Sequence, residues 1–174
     1  MSAFRFALVV ASVALASTTG VAAQEMRQLA QTCDATIASG TAGRIAACTK
    51  LIDSRSLSPH DQALAHMHRA WPESISGKLD LALNDLNEAT RLDPQSAIVL
   101  SERGFTQLRL GRLDAAIADY TAALQLNPRT VYALYGRGIA RLRNKDKGGN
   151  ADLEAARVLQ AGVDNLFAGL GIRP

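Results

Sequence analysis

The sequence predicts an all-helical protein in which helical hairpins stack on one another as a solenoid. Residues 63–94 and 97–128 carry the same pattern at an offset of 34, so that Gly77, for example, recurs as Gly111. Apolar residues recur at three and four positions, as on one face of a helix, and no segment shows the period of two that is typical of strands. A repeat of this length indicates stacked units, because a single hairpin cannot bury its apolar face alone.

The N-terminal segment 1–23 is predicted to be a secretory signal peptide. Arg5 is its only charge, an apolar run extends over positions 6–16, and small residues lead to Ala23. This run is too short to span a bilayer core of about 30 Å as a lasting anchor, so we expect cleavage after Ala23 and export of a soluble chain. A retained single-span anchor is the alternative.

Both cysteines lie in the part that is expected to be exported. An oxidising compartment favours a disulfide between Cys33 and Cys48, which are separated by one short stretch that contains glycine. This spacing suits two antiparallel helices joined by a turn, and closing such a loop stabilises the fold by about 3 kcal/mol in the chain-entropy model. Free thiols and a metal-binding pair are the alternatives, although no further Cys or His stands at ligand spacing.

Glycine and proline mark the helix boundaries inside the two full units. The first helix of each unit is predicted to end at Gly77 or Gly111, and the second helix starts after the residue that follows. Pro94 and Pro128 then close the units, because the residue before a proline is disfavoured in helical geometry and proline suits the start of the next helix.

Pro72 departs from this pattern, because it stands inside the first helix of the first unit. A proline there removes an amide donor and costs roughly 3 kcal/mol if the helix stays straight. We therefore expect a kink or an early helix end near Trp71, and either would make this side chain more exposed than an ordinary repeat residue. A mobile lip on the groove is one functional interpretation; we favour a tolerated local defect, because tertiary packing can absorb a kink.

The pattern of small and large residues in these units resembles the tetratricopeptide repeat (TPR) family. The resemblance is carried by Gly104, Gly111, Ala116, Tyr120, Ala123 and Pro128. It implies pairs of antiparallel helices that stack into a right-handed superhelix with a concave groove. We expect an N-terminal degenerate unit or cap with the disulfide over 24–62, full repeats over 63–96 and 97–130, a degenerate repeat over 131–161, and a C-terminal capping helix and tail over 162–174.

The outer units depart from the repeat consensus. In the third unit, the second helix matches the preceding unit only at an offset of 33, Gly148-Gly149 replaces a good helix start, and the closing proline is missing. These changes indicate that one residue has been lost around a loosened turn. In the N-terminal unit, Gly43 stands one repeat period before Gly77 and is expected at the turn before an apolar helix.

Composition and motifs argue against nucleic-acid binding, metal binding and catalysis. Without Arg5, 18 Lys and Arg stand against 16 Asp and Glu, and the net charge of +2 is spread without a dense basic face. His66 and His68 are two apart on a predicted helix and point to different faces, which disfavours a shared metal ion with His60. No phosphate-binding loop or nucleophile elbow occurs. We expect a non-enzymatic protein without a cofactor or metal.

Charged residues also recur in register. Arginines stand before the small packing residue of each first helix, and aspartates stand in each following helix; the residues are Arg69, Arg103 and Arg137, and Asp85, Asp119 and Asp152. A ladder of arginines could hold an acidic ligand. We favour structural pairing of each arginine with the aspartate of its own unit, because repeated residues tend to serve the repeated geometry.

In the TPR family the first helix of each unit lines the groove, and the resemblance implies the same for this chain. The corresponding residues are Leu64, Met67, His68, Trp71, Ile75, Ile98, Ser101, Glu102, Phe105, Arg109, Tyr132, Tyr135, Ile139 and Arg143. Among them the aromatic residues Trp71, Phe105, Tyr132 and Tyr135 are the expected anchors for a partner.

Some TPR proteins hold a terminal carboxylate with a clamp of Lys, Asn and Arg, and that clamp is missing. Its places are occupied by Met67, His68, Glu102, Tyr132 and Gly136. A mixed apolar groove that binds an extended or helical protein segment is the expectation instead.

The layout as a whole resembles small exported TPR proteins of Gram-negative bacteria, which combine a signal peptide, a Cys pair, the phrase Ala47-Cys48-Thr49 and two to three repeats. The resemblance implies a periplasmic adaptor for a protein or peptide of unknown identity. A structural role in an envelope assembly, through self-association, is the alternative. A hydrolytic or redox enzyme would require a reactive thiol at Cys33 or Cys48.

Overall fold

The computed structural model describes residues 20, 22–34 and 40–173. Every regular element in these ranges is a helix, so the predicted all-α fold is confirmed. Helix α1 covers residues 22–34. The others are α2 (Gly40–Asp53), α3 (Pro59–Ile75), α4 (Leu79–Leu92), α5 (Ala97–Arg109), α6 (Leu113–Leu126), α7 (Val131–Arg143), α8 (Gly149–Leu159) and α9 (Val163–Gly169).

Most of the predicted signal peptide lies outside the described residues. Only positions 20, 22 and 23 of its 1–23 span are described, and the last two form the start of α1. Within the described ranges, no helix combines the length and the apolar character that crossing a membrane requires.

The helices form hairpins that stack side by side. The most extensive packing joins α3 to α4, α5 to α6 and α7 to α8, and each hairpin packs on the next one along the chain. The first helices of neighbouring hairpins also touch directly, α3 with α5 and α5 with α7. This arrangement places α3, α5 and α7 side by side along one surface of the solenoid.

The glycine turns follow the prediction, and so do the helix ends before Pro94 and Pro128, where the residue before each proline is non-helical. Gly77 and Gly111 adopt positive φ angles of 80° and 73°, which favour glycine, and α4 and α6 begin two positions later. Pro94 and Pro128 do not open the following helices. These begin three positions further on, because the prolines stand in a turn that ends at the N-cap residue.

Pro72 does not end its helix. Helix α3 continues to Ile75, and Pro72 itself is buried. The helix therefore does not end early near Trp71, contrary to expectation. Trp71 is half-buried and stacks on Phe105, with ring centroids 5.9 Å apart. It is more exposed than its counterparts in the next two units, Phe105 and Ile139, which are 4% and 0% exposed, as expected. The proline lies in the last turn, where the N–H of Ser76 still reaches the carbonyl of Pro72, and packing holds that turn in place.

Glycines at two neighbouring first helices make room for one large side chain. The ring of Tyr120 is 1% exposed and lies between Gly104 of α5 and Gly136 of α7. A Cβ on Gly104 would lie 3.1 Å from the ring, and one on Gly136 would lie 2.8 Å from Cε1. The small residues therefore set how closely the middle and third hairpins approach.

A disulfide joins α1 to α2. Cys33 and Cys48 are bonded, with their Cα atoms 4.8 Å apart, and both are buried in a small core with Leu51 and Ala65. Contrary to the expectation from the repeat period, Gly43 does not stand before the helix, because α2 begins at Gly40 and already contains it.

The third hairpin has a loosened turn, as predicted. Positions 144–148 connect α7 to α8, and Lys145 adopts a positive φ of 63° where the other hairpins have glycine. Gly149 starts α8 against the backbone of Gly138, since a Cβ there would contact the Gly138 carbonyl. Helix α9 then covers the end of the stack, with Val163 and Phe167 fully buried.

Candidate functional site

An open groove of about 740 Å³ lies along the first helices and is the candidate site. Its wall comes from α2, α3, α5 and the start of α7. The lining residues, called the groove below, are Arg44, Met67, His68, Trp71, Ser96, Ala97, Ile98, Ser101, Glu102, Asn127, Thr130 and Tyr132. The sequence had placed Met67, His68, Trp71, Ile98, Ser101, Glu102 and Tyr132 there.

Large apolar side chains in the groove face solvent. Ile98 is 54% exposed and Tyr132 is 40% exposed, and both project from the N-terminal turns of their helices. Met67 is buried and forms part of the floor. Exposed apolar surface next to polar groups is what a protein-binding site presents.

The chain's own C-terminal helix covers the rest of this surface. Phe167 of α9 packs on Phe105, Tyr132 and Tyr135, with ring centroids 6.4, 5.5 and 4.5 Å away. Phe105 is 4% exposed and Tyr135 is 1% exposed, so neither can act as the exposed anchor that the sequence suggested. Of the four aromatic anchors, Trp71 and Tyr132 line the groove.

Polar contacts hold α9 in that position. Tyr135 Oη donates to Asp164 Oδ1 at 2.7 Å, and Arg157 Nη2 lies 2.8 Å from the same oxygen. Hydrogen bonds from Arg157 and Tyr135 lower the pKa of Asp164 to about 2. The hydroxyl of Tyr135 is thus engaged within the chain.

The remaining predicted groove residues lie elsewhere. Arg109 donates to the Ser74 carbonyl and approaches the Phe105 ring, while Arg143 donates to the Arg173 carbonyl at 2.7 Å. Further positions are a buried Ile139, an exposed Ile75 outside the groove, and Leu64, which lines a second pocket beside α1.

The arginine ladder is structural, as predicted. Each arginine donates two hydrogen bonds to the aspartate of its own hairpin, at 2.6–2.8 Å, and the pairs are Arg69–Asp85, Arg103–Asp119 and Arg137–Asp152. Their spacing is 16 in the first two and 15 in the third, which locates the residue lost from the third unit. The ladder is therefore not available to an acidic ligand.

Arg44 of α2 reaches the groove, and sequence reasoning did not find it. Its Nε donates to the Cys33 carbonyl at 2.8 Å, and its Nη2 lies 3.1 Å from Nδ1 of His68. Nε2 of His68 in turn lies 3.3 Å from Asp34. Burial lowers the pKa of His68, Asp34 opposes this shift and Arg44 reinforces it. The sequence offers little to single out Arg44, because α2 also carries Lys50 and Asp53.

The three histidines have separate partners. His60 lies 2.7 Å from Asp93, His66 lies 2.9 Å from Asp85, and His68 faces Arg44 as described. They do not converge on one point. No group of three or more His, Cys, Asp or Glu that could hold a metal ion is found among the residues that the structure describes.

Glu102 is a partly buried carboxyl in the groove, and it has no hydrogen-bond or ion-pair partner in the described part of the chain. Burial raises its pKa to about 7, and the positive charge of Arg44 only partly opposes this. Glu102 stands one position before Arg103, whose charge is taken up by Asp119. Within the described ranges, it is thus the carboxyl best placed to meet a ligand.

Family models match the central part of the chain. Residues 76–118 match the model described as tetratricopeptide repeat, and residues 108–145 match the model described as TPR repeat. No curated protein matches the sequence significantly.

Solved structures of TPR proteins share the fold. The first TPR of Spaghetti (RPAP3), bound to the HSP90 peptide SRMEEVD, is 22% identical with a TM-score of 0.57, over 64% of this chain and 92% of that one. YrrB, a TPR protein with an unusual peptide-binding site, is 17% identical with a TM-score of 0.61, over 74% and 66%. An O-GlcNAc transferase mutant of Thermobaculum terrenum is 22% identical with a TM-score of 0.61, over 68% of this chain but only 22% of the transferase.

At these identities the similarity concerns the fold alone. The family matches and the stacked hairpins nevertheless agree on the same segment, which contains α4 to α7. Over residues 76–145 this chain is therefore similar to tetratricopeptide repeats, both in the family models that match it and in the stacking of its hairpins.

Proposed function

We propose that this chain is a non-enzymatic adaptor that holds a segment of another protein in the groove. The observation that carries the proposal is the open groove itself, with Ile98 and Tyr132 exposed along it. Ordered proteins tend to keep large apolar side chains out of contiguous exposed surfaces unless those surfaces bind something. TPR repeats are an interaction fold, and two of the solved neighbours are described as binding peptides.

The groove is lined by α2, α3, α5 and the start of α7, and α9 covers the neighbouring surface at Phe105 and Tyr135. A bound segment therefore lies over α3, α5 and the start of α7, and it does not reach Phe105 or Tyr135. A volume of about 740 Å³ accommodates several side chains, which suits an extended or helical segment of a protein better than a whole domain.

We also propose that the protein acts in the cell envelope after export. The Cys33–Cys48 disulfide supports an oxidising compartment. The predicted signal peptide supports the same route, and the cleaved form would begin within α1. The periplasm of a Gram-negative bacterium is a compartment that satisfies both conditions.

The test is affinity capture from an envelope extract with two matched variants. Ile98→Asp places a charge in the groove, and Val158→Asp places the same charge at another exposed aliphatic residue, on α8. A partner that is captured by the wild type and by Val158→Asp, but not by Ile98→Asp, would support the adaptor. Equal capture by both variants would remove the groove from the function.

Self-association is the competing outcome of the same experiment. If the wild type enriches only itself, and light scattering shows a mass that rises with concentration, the structural role in an envelope assembly replaces the adaptor. Circular dichroism of each variant checks that the helical content is unchanged, because an exposed position should tolerate the substitution.

A further inference from the structure

We propose that the groove recognises a basic side chain, lysine or arginine, of the segment it binds, through the carboxylate of Glu102 beside the rings of Trp71 and Tyr132. The inference rests on the proposed function and specifies its partner chemistry. It predicts that a segment with an apolar residue and a cation will bind in preference to an acidic one.

The carboxyl group of Glu102 has no partner among the residues that the structure describes. Within the described ranges, no hydrogen bond or ion pair involves its carboxyl group, whereas the aspartates of the ladder each accept at least two hydrogen bonds from arginine. A partly buried carboxylate without a partner is unfavourable. A cationic group from a ligand would supply the missing interaction.

The nearby cation does not fill this role. Arg44 is 7% exposed, and its guanidinium is held by the Cys33 carbonyl and by His68. It forms no ion pair with Glu102, in the part of the chain that is described, and acts on it only through its field. The hydrogen-bonding capacity of the Glu102 carboxylate therefore remains free on the groove side.

Aromatic side chains surround Glu102. A small cavity of about 10 Å³ lies directly beneath the groove, and Trp71, Ser101, Glu102 and Tyr132 line both spaces. Aromatic faces attract ammonium and guanidinium groups, most strongly where water is excluded. The cavity is too small for a side chain, so the cation must lie at its groove side, between the two rings and the carboxylate.

The small cavity beside Glu102 is also lined by Tyr120, whose buried hydroxyl is unpaired among the described residues. Burial raises the pKa of Tyr120, and the electrostatic interaction with Glu102 adds to this effect. A ligand cation at Glu102 would supply the counter-charge that the surrounding side chains do not provide to its carboxylate.

The protonation state of Glu102 gives the proposal a pH signature. With a pKa of about 7, its ionised fraction falls roughly tenfold between pH 8 and pH 6, and affinity for a cation should fall by about the same factor. The other charged or titratable groups around it are Arg44 of α2, His68 of α3, Tyr120 of α6 and Tyr132 of α7, with Asp34 of α1 near His68. Both tyrosines are neutral in this pH range, because their pKa values are raised. A variant without the carboxyl reports what these groups contribute.

The test uses N-acetylated, C-amidated octapeptide libraries in which one position is Arg, Lys, norleucine or Glu and the others are degenerate. Binding to the purified, oxidised protein is measured for the wild type, for Glu102→Gln and for Glu73→Gln. The last is a matched control, because Glu73 is a partly buried carboxyl of α3 outside the groove.

We expect the wild type and Glu73→Gln to prefer the Arg and Lys libraries over norleucine by about tenfold, and to lose this preference at pH 6. Glu102→Gln should bind all four libraries with equal affinity, and the affinity should be the same at pH 8 and pH 6. A wild type that binds the libraries without a basic preference, or a Glu102→Gln variant that retains it, would overturn the inference while leaving the adaptor intact. Absence of any peptide binding, together with equal capture by Ile98→Asp and Val158→Asp, would overturn both.

Discussion

The three Arg–Asp pairs differ in what remains when the arginine is removed, and this predicts unequal losses of stability. In the middle hairpin, Arg103→Met removes two hydrogen bonds to Asp119, at 2.8 and 2.6 Å, and leaves only the neutral amide of Gln107 at 2.9 Å. The Asp119 side chain is 9% exposed. Removing one partner of a buried pair costs about 3–5 kcal/mol, and because Arg103 is itself 21% exposed we expect about 3 kcal/mol.

The third hairpin should lose less. Arg137→Met leaves Asp152 with a second cation, since Arg141 Nη1 lies 2.9 Å from Oδ2. The carboxylate of Asp152 therefore stays paired. The free energy of unfolding should fall only by the contribution of the two lost hydrogen bonds, about 1–2 kcal/mol. The first hairpin should lie between these values, because Arg69→Met leaves His66 within 2.9 Å of its aspartate. Methionine keeps much of the aliphatic stem and the helix propensity of arginine.

Urea denaturation of the three oxidised variants at pH 7 measures these differences. Far-UV circular dichroism reports the helices, and fluorescence of Trp71, the single tryptophan, reports the α3–α5 packing independently. Coincident transitions would justify a free energy of unfolding for each variant. Equal losses of unfolding free energy for Arg103→Met and Arg137→Met, or a larger loss for Arg137→Met, would refute the reasoning. The additional partner of each aspartate would then not decide how much stability is lost.

Two further predictions concern packing and the disulfide. Gly136→Ala should lower the free energy of unfolding by about 1–2 kcal/mol, because overpacking against the buried Tyr120 ring outweighs a helix-propensity gain of about 1 kcal/mol. Gly104→Ala should be nearly neutral, because its Cβ would lie 3.1 Å from the ring, a looser contact. Equal urea midpoints for the two variants would contradict this. Replacing Cys33 and Cys48 together by alanine should cost about 3 kcal/mol in the N-terminal unit, seen as faster amide hydrogen exchange in α2 but not in α7. Unchanged protection in α2 would show that the disulfide is not needed there.

Sequence reasoning was most successful where one repeat unit contains all the interacting residues. The hairpin boundaries at Gly77 and Gly111 and the pairing of Arg103 with Asp119 depend on contacts inside a single unit. A two-helix unit of known period places such residues opposite each other with little freedom. The disulfide belongs to the same class, because Cys33 and Cys48 lie on the two helices of one hairpin.

Pro72 shows the limit of a local rule. The intrinsic preference of proline predicts an interrupted helix, yet α3 continues to Ile75 and buries Pro72. The position lies near the helix end, and Trp71 stacks on Phe105 of the next hairpin. Packing of this kind stabilises a turn that local propensity alone would disfavour.

The sequence by itself determined the helical class, the repeat period, the Arg–Asp ladder, the Cys pair and the helices that carry the groove. Only the tertiary structure decided which side chains of that surface stay open. Phe167 covers Phe105, although the two residues lie far apart along the chain, and no local sequence pattern predicts this contact. Glu102 and Ile98, by contrast, remain accessible in the groove. Burial depends on contacts between distant segments, so the extent of the groove is set by the stacked hairpins together with α9.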